Sequence, residues 1–248
     1  MSEMAVDVKD VSKTFRLYHE KRNSVYEIIS GWFNKKKYYE DLQILKNVSF
    51  SVKKGEMFGI IGKNGIGKTT LLRIIAGIYK PDSGLVTVSG SIAPLLGLGA
   101  GFQGELTARA NVIQYGILLG IKKKEIVEHV DDIMKFAELE KFADTKLKNF
   151  SAGMHARLAF ATAVQVDPDI LIIDEVIQVG DLTFQQKSYE TILSFKKRGK
   201  AIILVTHDMH TVRTHCDRAL FLNKGMIEAI GNPDMVIEAY TKASFPNQ

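Results

Sequence analysis

Residues 58–70, FGIIGKNGIGKTT, combine residue types that can hold a chain of phosphates. The glycine-rich loop fits the pattern G-x-x-x-x-G-K-[ST], with Gly62, Gly67, Lys68 and Thr69 at the fixed positions. Glycine lets successive backbone N–H groups turn inward towards one phosphate, and the helix that follows adds its positive end. Lys68 can neutralise the terminal phosphates, and the Thr69 hydroxyl can ligate Mg²⁺.

An ordinary glycine-rich turn is the alternative interpretation of this loop. The apolar strand predicted before it and the helix predicted after it favour a phosphate-binding loop instead. We therefore predict that a nucleoside triphosphate is bound by Gly62, Lys63, Asn64, Gly65, Ile66, Gly67, Lys68, Thr69 and Thr70.

Two carboxylates, Asp174 and Glu175, follow the wholly apolar run 170–173. Such a run predicts a strand buried on both faces, and ligands of parallel sheets bind at the carboxyl ends of the strands. Buried acids are costly unless they are paired or bind a metal. We predict that Asp174 holds Mg²⁺ and that Glu175 orients and deprotonates an attacking water. The alternative is a strand end that reaches solvent just before a helix.

His207 occupies the same place after the next apolar strand, in the sequence LVTHD. A histidine at a strand end is often structural or exposed. A third polar position in the same row of strand ends favours a catalytic role, in which His207 contacts the γ-phosphate and bridges it to Glu175.

A second candidate anion site is the helix start NFSAGM, which contains Ser151 and Gly153. The Ser151 side chain can cap the helix while open N–H groups near Gly153 donate to an anion. The alternative is a plain N-cap, which has the same sequence. About 90 residues separate this segment from the phosphate loop. Because both are hard to bring onto one phosphate within one chain, we predict a site built across two subunits.

Alternating strands and helices after the loop predict an α/β fold with a mostly parallel core sheet, and the front of the chain predicts an antiparallel β addition. A strand is predicted at Val48–Val52 and helices at Lys68–Ile78 and His155–Val166. Helical periodicity over about 105–165 predicts an inserted helical subdomain. We expect the whole chain, 1–248, to be a single domain.

An amphipathic insert is predicted at residues 18–44. It has a capping box at Ser24–Glu27 and an apolar stripe that includes Trp32 and Phe33. Such a stripe suits a membrane interface, a partner's groove or the chain's own sheet.

The composition is that of a globular protein, with 46% hydrophobic and 25% charged residues among 248. The net charge of +5 is too small to indicate nucleic acid, but is compatible with anionic ligands or an anionic membrane surface. The single cysteine, Cys216, excludes an internal disulfide and is expected to be buried and reduced. Without an apolar signal region or a bilayer-spanning run, we expect an intracellular protein that reaches a membrane through a partner.

In order along the chain, the phosphate loop, Ser151–Met154, Ile170–Glu175, Asp181 and His207 resemble the motifs of the nucleotide-binding subunits of ATP-binding-cassette transporters. The resemblance covers nearly the whole chain and implies the P-loop nucleoside triphosphatase fold, with ATP and Mg²⁺ as ligands. It further implies a head-to-tail homodimer, in which ATP lies between the loop of one subunit and the Ser151–Met154 segment of the other.

The same resemblance implies roles for three further residues. Asp181 matches the acid that communicates across the dimer, and Phe15 matches the aromatic residue that stacks on adenine, although Phe15 could equally be a core residue at a strand end. The family's metal-contacting glutamine has no match at its usual spacing before Leu106, so Gln103 is the nearest candidate. The small pair Ala152-Gly153 should behave as the family's usual pair does. ATP hydrolysis would drive an integral membrane partner, expected in two copies, between two access states.

Four segments are similar to one subgroup, which exports lipid-linked polysaccharides or polyol phosphates such as O-antigen, capsule and teichoic acid. They are residues 18–44, 98–107, FSAGM and DEVIQVGD. The similarity implies a peripheral protein on the cytoplasmic face of the cell membrane that powers export of a lipid-linked glycan. Some members carry an additional carbohydrate-binding domain, which we do not expect in a chain that stops at Gln248.

Three alternative functions are weighed against export of a glycan. A generic importer or drug exporter would not need the insert or the glycine-rich segment 98–107. A non-transport ATPase of this fold typically carries coiled coils or two cassettes. A regulatory module without turnover would not need Glu175 and His207.

Overall fold

The computed structural model of the protein describes residues 3–18, 39–97, 99–165, 167–174 and 180–244. The strands are β1 (Met4–Tyr18), β2 (Tyr39–Lys53), β3 (Met57–Ile61), β4 (Ser83–Val88), β5 (Ile92–Leu95), β6 (Ile170–Asp174), β7 (Ala201–Val205), β8 (Arg218–Asn223) and β9 (Met226–Gly231). The helices are α1 (Lys68–Ile75), α2 (Ala108–Leu118), α3 (Lys123–Ala137), α4 (Ala152–Val164), α5 (Leu182–Lys197), α6 (Met209–His215) and α7 (Pro233–Ser244), with short 3-10 turns at Glu140–Phe142 and Leu147–Asn149.

The core of the molecule is a six-stranded sheet in the order β5-β6-β7-β3-β8-β9. Its first five strands are parallel, and β9 is added antiparallel to β8 as a terminal hairpin. Strands β3 and β7 are buried along their whole length, as their uninterrupted apolar sequences predict. The predicted α/β class with a mostly parallel sheet is confirmed.

A second sheet, β2-β1-β4, is antiparallel and forms the predicted β addition. A shared apolar core joins it to α1 and to one face of the main sheet, with Val6, Val48, Leu72 and Ile203 among its fully buried members. Burying each such side chain contributes about 1.5–3 kcal/mol. This core holds β3, the loop after it and α1 in fixed positions.

The predicted start of the second strand at Val48 is wrong, because β2 begins at Tyr39. Residues 39–44 pair with the outer half of β1, for example Leu42 with Phe15, while their side chains are exposed or only partly buried. The backbone pairing between β1 and β2 holds this extension in place. Because its side chains are not buried, no apolar–polar alternation in the sequence predicted a strand there. The last residues of the predicted insert are therefore strand. Its capping box and its Trp32–Phe33 stripe lie outside the described residues.

Between β5 and β6 the chain forms α2, α3 and α4, which surround an apolar cluster of their own that includes Val112, Val130, Ile133 and Leu158. The other face of α4 packs against the main core through Phe160 and Ala163. This packing agrees with a helical subdomain inserted between two neighbouring strands, and it fixes the start of α4 relative to the sheet.

Three further details differ from the predictions or extend them. Helix α1 ends at Ile75 rather than Ile78, since Gly77 adopts a φ of 73°. Helix α4 begins at Ala152, because the Ser151 side chain caps it. Cys216 is buried as expected, and burial raises the pKa of its thiol to about 12.

No helix in the described ranges combines the length and apolarity needed to cross a membrane.

Candidate nucleotide-binding site

The loop after β3 leads directly into α1, and two of its glycines fit where a side chain would not. Gly67, the N-cap of α1, has a φ of 112°, and a Cβ there would lie 2.9 Å from Ile44 Cγ2. A Cβ at Gly62 would lie 2.4 Å from the carbonyl oxygen of Leu222. Among the described residues no side chain caps the start of α1, where the positive end of the helix faces the loop and can attract an anion.

Lys68 turns back over the loop from the first turn of α1. Its Nζ donates to the carbonyl oxygens of Gly62 at 2.6 Å and Lys63 at 3.0 Å, and the residue is only 6% exposed. A buried ammonium is stabilised by such charge-assisted bonds, and it provides a positive charge where the phosphates of a nucleotide would lie.

Thr69 and Asp174 are brought together across the sheet, although they lie far apart in sequence. The Thr69 hydroxyl donates to Asp174 Oδ2 at 2.8 Å. Carboxylate and hydroxyl oxygens are the donors that Mg²⁺ prefers, and Mg²⁺ is typically held by one or two protein oxygens together with substrate phosphates. The predicted metal pair fits this ion, whereas Glu175, which follows directly, lies outside the described residues.

His207 lies at the end of β7, the neighbour of both β6 and β3. Its Nε2 is 2.7 Å from Asn64 Oδ1 and 3.5 Å from Lys68 Nζ. The sheet order thus places the histidine beside the phosphate loop, as its strand-end position predicts.

The side chains of Lys68, Thr69 and Asp174 border an open cavity of about 180 Å³. It is lined by Ile44, Asn64, Gly65, Gly67, Lys68, Thr69, Thr70 and Asp174. Ile44 was not predicted here, because it lies within the segment interpreted as an insert. Its approach from β2 gives the cavity one apolar wall.

Phe15 lies on β1 and is not among the residues that line the cavity, but it pairs with Leu42 on β2, two residues from the lining Ile44. Its ring is half-buried, with the Tyr79 ring 5.7 Å away edge to face and Lys13 Nζ 5.6 Å from its centre. A partly open aromatic face is compatible with stacking on a base, which stays a prediction.

Ser151 and Gly153 do not line the cavity either. Ser151 is exposed and accepts a hydrogen bond from Met154 N at 3.2 Å, so it caps α4 as predicted. Asp181 likewise caps α5 by accepting from Phe184 N at 3.0 Å. One chain therefore presents these two helix starts separately from the loop.

Gln103 is exposed in the loop before α2 and is absent from the cavity wall. Its backbone is held by Asn111, a fully buried residue that the sequence interpretation missed. Asn111 accepts from Gln103 N at 2.7 Å and donates to the carbonyl oxygens of Gln103, Leu106 and Thr107. An asparagine in a helix interior has low propensity, and this was the only signal in the sequence.

Comparison with known proteins places these features in a family. A family model described as "ABC transporter" matches residues 45–178. An O-antigen export system ATP-binding protein of Klebsiella pneumoniae is 40% identical over 96% of this chain and 98% of its own length. A teichoic acids export ATP-binding protein of Lactococcus lactis is 38% identical over 97% of this chain but only 51% of its own length. The chain also spans 56% of an O-antigen export relative from Myxococcus xanthus.

Solved structures agree with the sequence matches. The cassette MJ0796, described as a dimer in a post-hydrolysis state bound to ADP and Pi, superposes with a TM-score of 0.72 at 26% identity, over 92% of this chain and 98% of that one. An ATP-binding subunit of an ABC transporter superposes with a TM-score of 0.73 over 98% of this chain. The chain therefore belongs to the ABC transporter family, among its ATP-binding cassettes.

Proposed function

We propose that this protein is the ATP-hydrolysing subunit of a system that exports a lipid-linked cell-surface polysaccharide or teichoic acid. The observation that supports ATP hydrolysis is the contact between the Thr69 hydroxyl and the Asp174 carboxylate beside the phosphate loop. The export part is supported by near full-length similarity to an O-antigen export ATP-binding protein.

The nucleotide site is assembled from the ends of three neighbouring strands. ATP phosphates would accept from the backbone N–H groups of residues 62–70, and Lys68 would neutralise them. Thr69 and Asp174 would hold Mg²⁺, which when bound offsets the charge of the β- and γ-phosphates. Glu175 would accept the proton of the attacking water, and His207 would donate to the γ-phosphate from the adjacent strand end.

The remaining site residues are assigned to a head-to-tail homodimer. Ser151 and Gly153 of a second copy would close over the γ-phosphate with the positive end of α4, and Asp181 would contact the partner. Phe15 would stack on adenine, and Gln103 would approach the metal. The absence of Ser151 and Gly153 from the cavity wall of their own chain supports their assignment to the second copy.

The work of hydrolysis is delivered, in this proposal, to an integral membrane subunit, with two copies per cassette dimer. The cassette would bind it peripherally at the cytoplasmic face of the cell membrane, where lipid-linked glycans are presented for export. The relatives that belong to export systems support such a partner.

The hydrolytic part is tested by Glu175→Gln. We expect this variant to bind ATP with unchanged affinity, to lose hydrolysis by roughly 10²- to 10⁴-fold, and to accumulate a stable ATP-bound dimer, because the water is no longer deprotonated. Phosphate release and size-exclusion chromatography with ATP measure both effects. Glu140→Gln, at an exposed position of the helical subdomain, is the matched control. Normal ATP turnover in the Glu175 variant would show that this residue does not deprotonate the attacking water.

The export part is tested in the cell that makes the protein. Depletion should cause lipid-linked glycan to accumulate at the cytoplasmic leaflet, and a membrane subunit should co-purify with the tagged chain. Export of all surface glycans at normal rates after depletion, with another solute failing to cross, would assign the cassette to a different transporter type.

A further inference from the structure

Glu138 has a backbone conformation that side chains rarely adopt. It is the C-cap of α3, with φ 60° and ψ 41° in the left-handed region. Glycine or asparagine usually occupies such a position, since a Cβ there is close to the following carbonyl oxygen. A glutamate that accepts this strain indicates a role for its side chain.

The Glu138 carboxylate bridges two cations from different helices. Oε2 lies 3.5 Å from Arg157 Nη1 on α4, and Oε1 lies 3.5 Å from Lys187 Nζ on α5. Arg157 Nη1 is also 3.9 Å from Asp181 Oδ2. The four side chains form a row of alternating charge, Asp181–Arg157–Glu138–Lys187, which we call the charge row.

The charge row joins parts of the molecule with different roles in the proposed site. Arg157 lies on the helix that Ser151 caps, and Lys187 lies on the helix that Asp181 caps. Lys187 is further held by Phe136, whose carbonyl oxygen accepts from Nζ at 2.8 Å and whose ring centre is 4.4 Å from it. Movement of α4 relative to α5 would have to break this row.

Aromatic side chains next to the charge row hold the same three helices together. The ring centre of Phe136 lies 6.2 Å from that of Phe160 and 6.0 Å from that of Phe184. Phe160 belongs to α4 and Phe184 to α5, so the contact is apolar as well as ionic. The aromatic contacts hold the three helices together. The charged side chains can then act mainly on the position of one helix relative to another.

The geometry of the charge row suits positioning of the helices better than stabilisation of the fold. Its ion pairs are 3.5–3.9 Å long and partly exposed, and such pairs contribute little stability. Arg157 Nε is buried without a hydrogen-bond partner among the described residues, which is unfavourable in itself. A strained and incompletely satisfied network is retained where it serves function.

We propose that Glu138 is a positioning residue for ATP turnover. By bridging Arg157 and Lys187 it makes the Ser151 end of α4 and the Asp181 end of α5 move as one unit when two copies close on ATP. The inference rests on the proposed function and assigns part of its conformational coupling to a residue outside the nucleotide cavity.

The test uses Glu138→Gly, which removes the carboxylate and suits the left-handed backbone. We expect kcat to fall roughly threefold to tenfold, with KM for ATP within about twofold of wild type and a thermal midpoint no lower than that of wild type. Backbone amides of residues 152–157 and 182–187 should exchange faster in the variant without ATP. Lys187→Gln should give the same loss of kcat, and the double variant should be no worse than either single change.

Glu128→Gln is the matched control, because Glu128 is an exposed glutamate on α3 with no ion pair among the described residues. Unchanged kcat and exchange in Glu138→Gly would overturn the inference, as would a lower thermal midpoint with a raised KM or an additive loss in the double variant. A wild-type chain without ATP hydrolysis would overturn the proposed function instead, and the exchange measurement would still decide whether Glu138 couples the two helices.

Discussion

At the scale of single residues, the His207 ring lies beside the phosphate loop. An amide oxygen can only accept, so the 2.7 Å contact with Asn64 Oδ1 is a hydrogen bond in the tautomer that carries the proton on Nε2. An ammonium can only donate, so the 3.5 Å contact between Lys68 Nζ and the same nitrogen belongs to the tautomer without that proton. A γ-phosphate oxygen entering the cavity could replace Asn64 as the acceptor of this proton.

His207→Ala tests the donor role at the γ-phosphate. We expect kcat to fall roughly 10²-fold and ATP affinity to change by less than about threefold, since Lys68 and the loop backbone would still hold the triphosphate. Steady-state hydrolysis and equilibrium titration with ATP separate the two effects. His210→Ala, an exposed histidine on α6, should behave as wild type. Loss of binding with unchanged kcat would make His207 a ground-state binding residue.

At the scale of elements, the sequence predicts best what burial dictates. The apolar runs of β3, β6 and β7 predicted these strands, β6 to within a residue, and hence the common row of Thr69, Asp174 and His207. Helix α6 was not predicted, because its one buried residue, Val212, gives no periodic signal. Ile44 and Asn111 were also missed. Their positions depend on a strand ladder and on a loop conformation, which no local pattern encodes.

Helix α6 connects the His207 position to β8, and Asp208 caps it. The pKa of Asp208 is lowered, first by the hydrogen bond from the Thr211 hydroxyl and then by that from the His210 backbone N–H. A lowered pKa in the folded state stabilises the fold above the ordinary value of 3.8, and this contribution is lost as pH falls through the folded-state pKa.

Asp208→Ala should therefore lower the free energy of unfolding by about 1 kcal/mol at pH 7, and the difference from wild type should shrink below about pH 4. Urea unfolding at pH 7, 5 and 3 measures the difference. Asp208→Asn keeps an uncharged cap and should show a smaller loss at pH 7, which should also shrink as the pH falls because only wild-type Asp208 titrates. An alanine variant as stable as wild type at pH 7 would contradict the capping role.

At the scale of the whole molecule, the family motifs divide into two groups on one chain. The first group surrounds the cavity at the end of the main sheet. The second caps α4 and α5 at exposed positions, although the two groups alternate along the sequence. A resemblance could name both groups from the sequence, but only the three-dimensional arrangement separates them. Two copies placed head to tail would unite one group of each, and each of the two sites would then contain residues from both chains.

Mixing two inactive variants tests this arrangement. Lys68→Ala damages the loop half of a site, and Ser151→Arg damages the other half by placing a bulky cation where α4 begins. In a head-to-tail dimer of one chain of each kind, both changes fall in the same site, which leaves the other site intact. Because random pairing makes about half of the dimers mixed, roughly a quarter of all sites should release phosphate in a single turnover.

The matched control mixes Lys68→Ala with Thr69→Ala, which both damage the loop half. Every site in such a mixed dimer lacks one loop residue, so no activity should return. Recovery in the first mixture alone assigns Ser151 and Lys68 of different chains to one site. Failure of both mixtures to recover, with dimers formed in each, would contradict the shared site, since a site complete within one chain is damaged in both variants whatever their pairing.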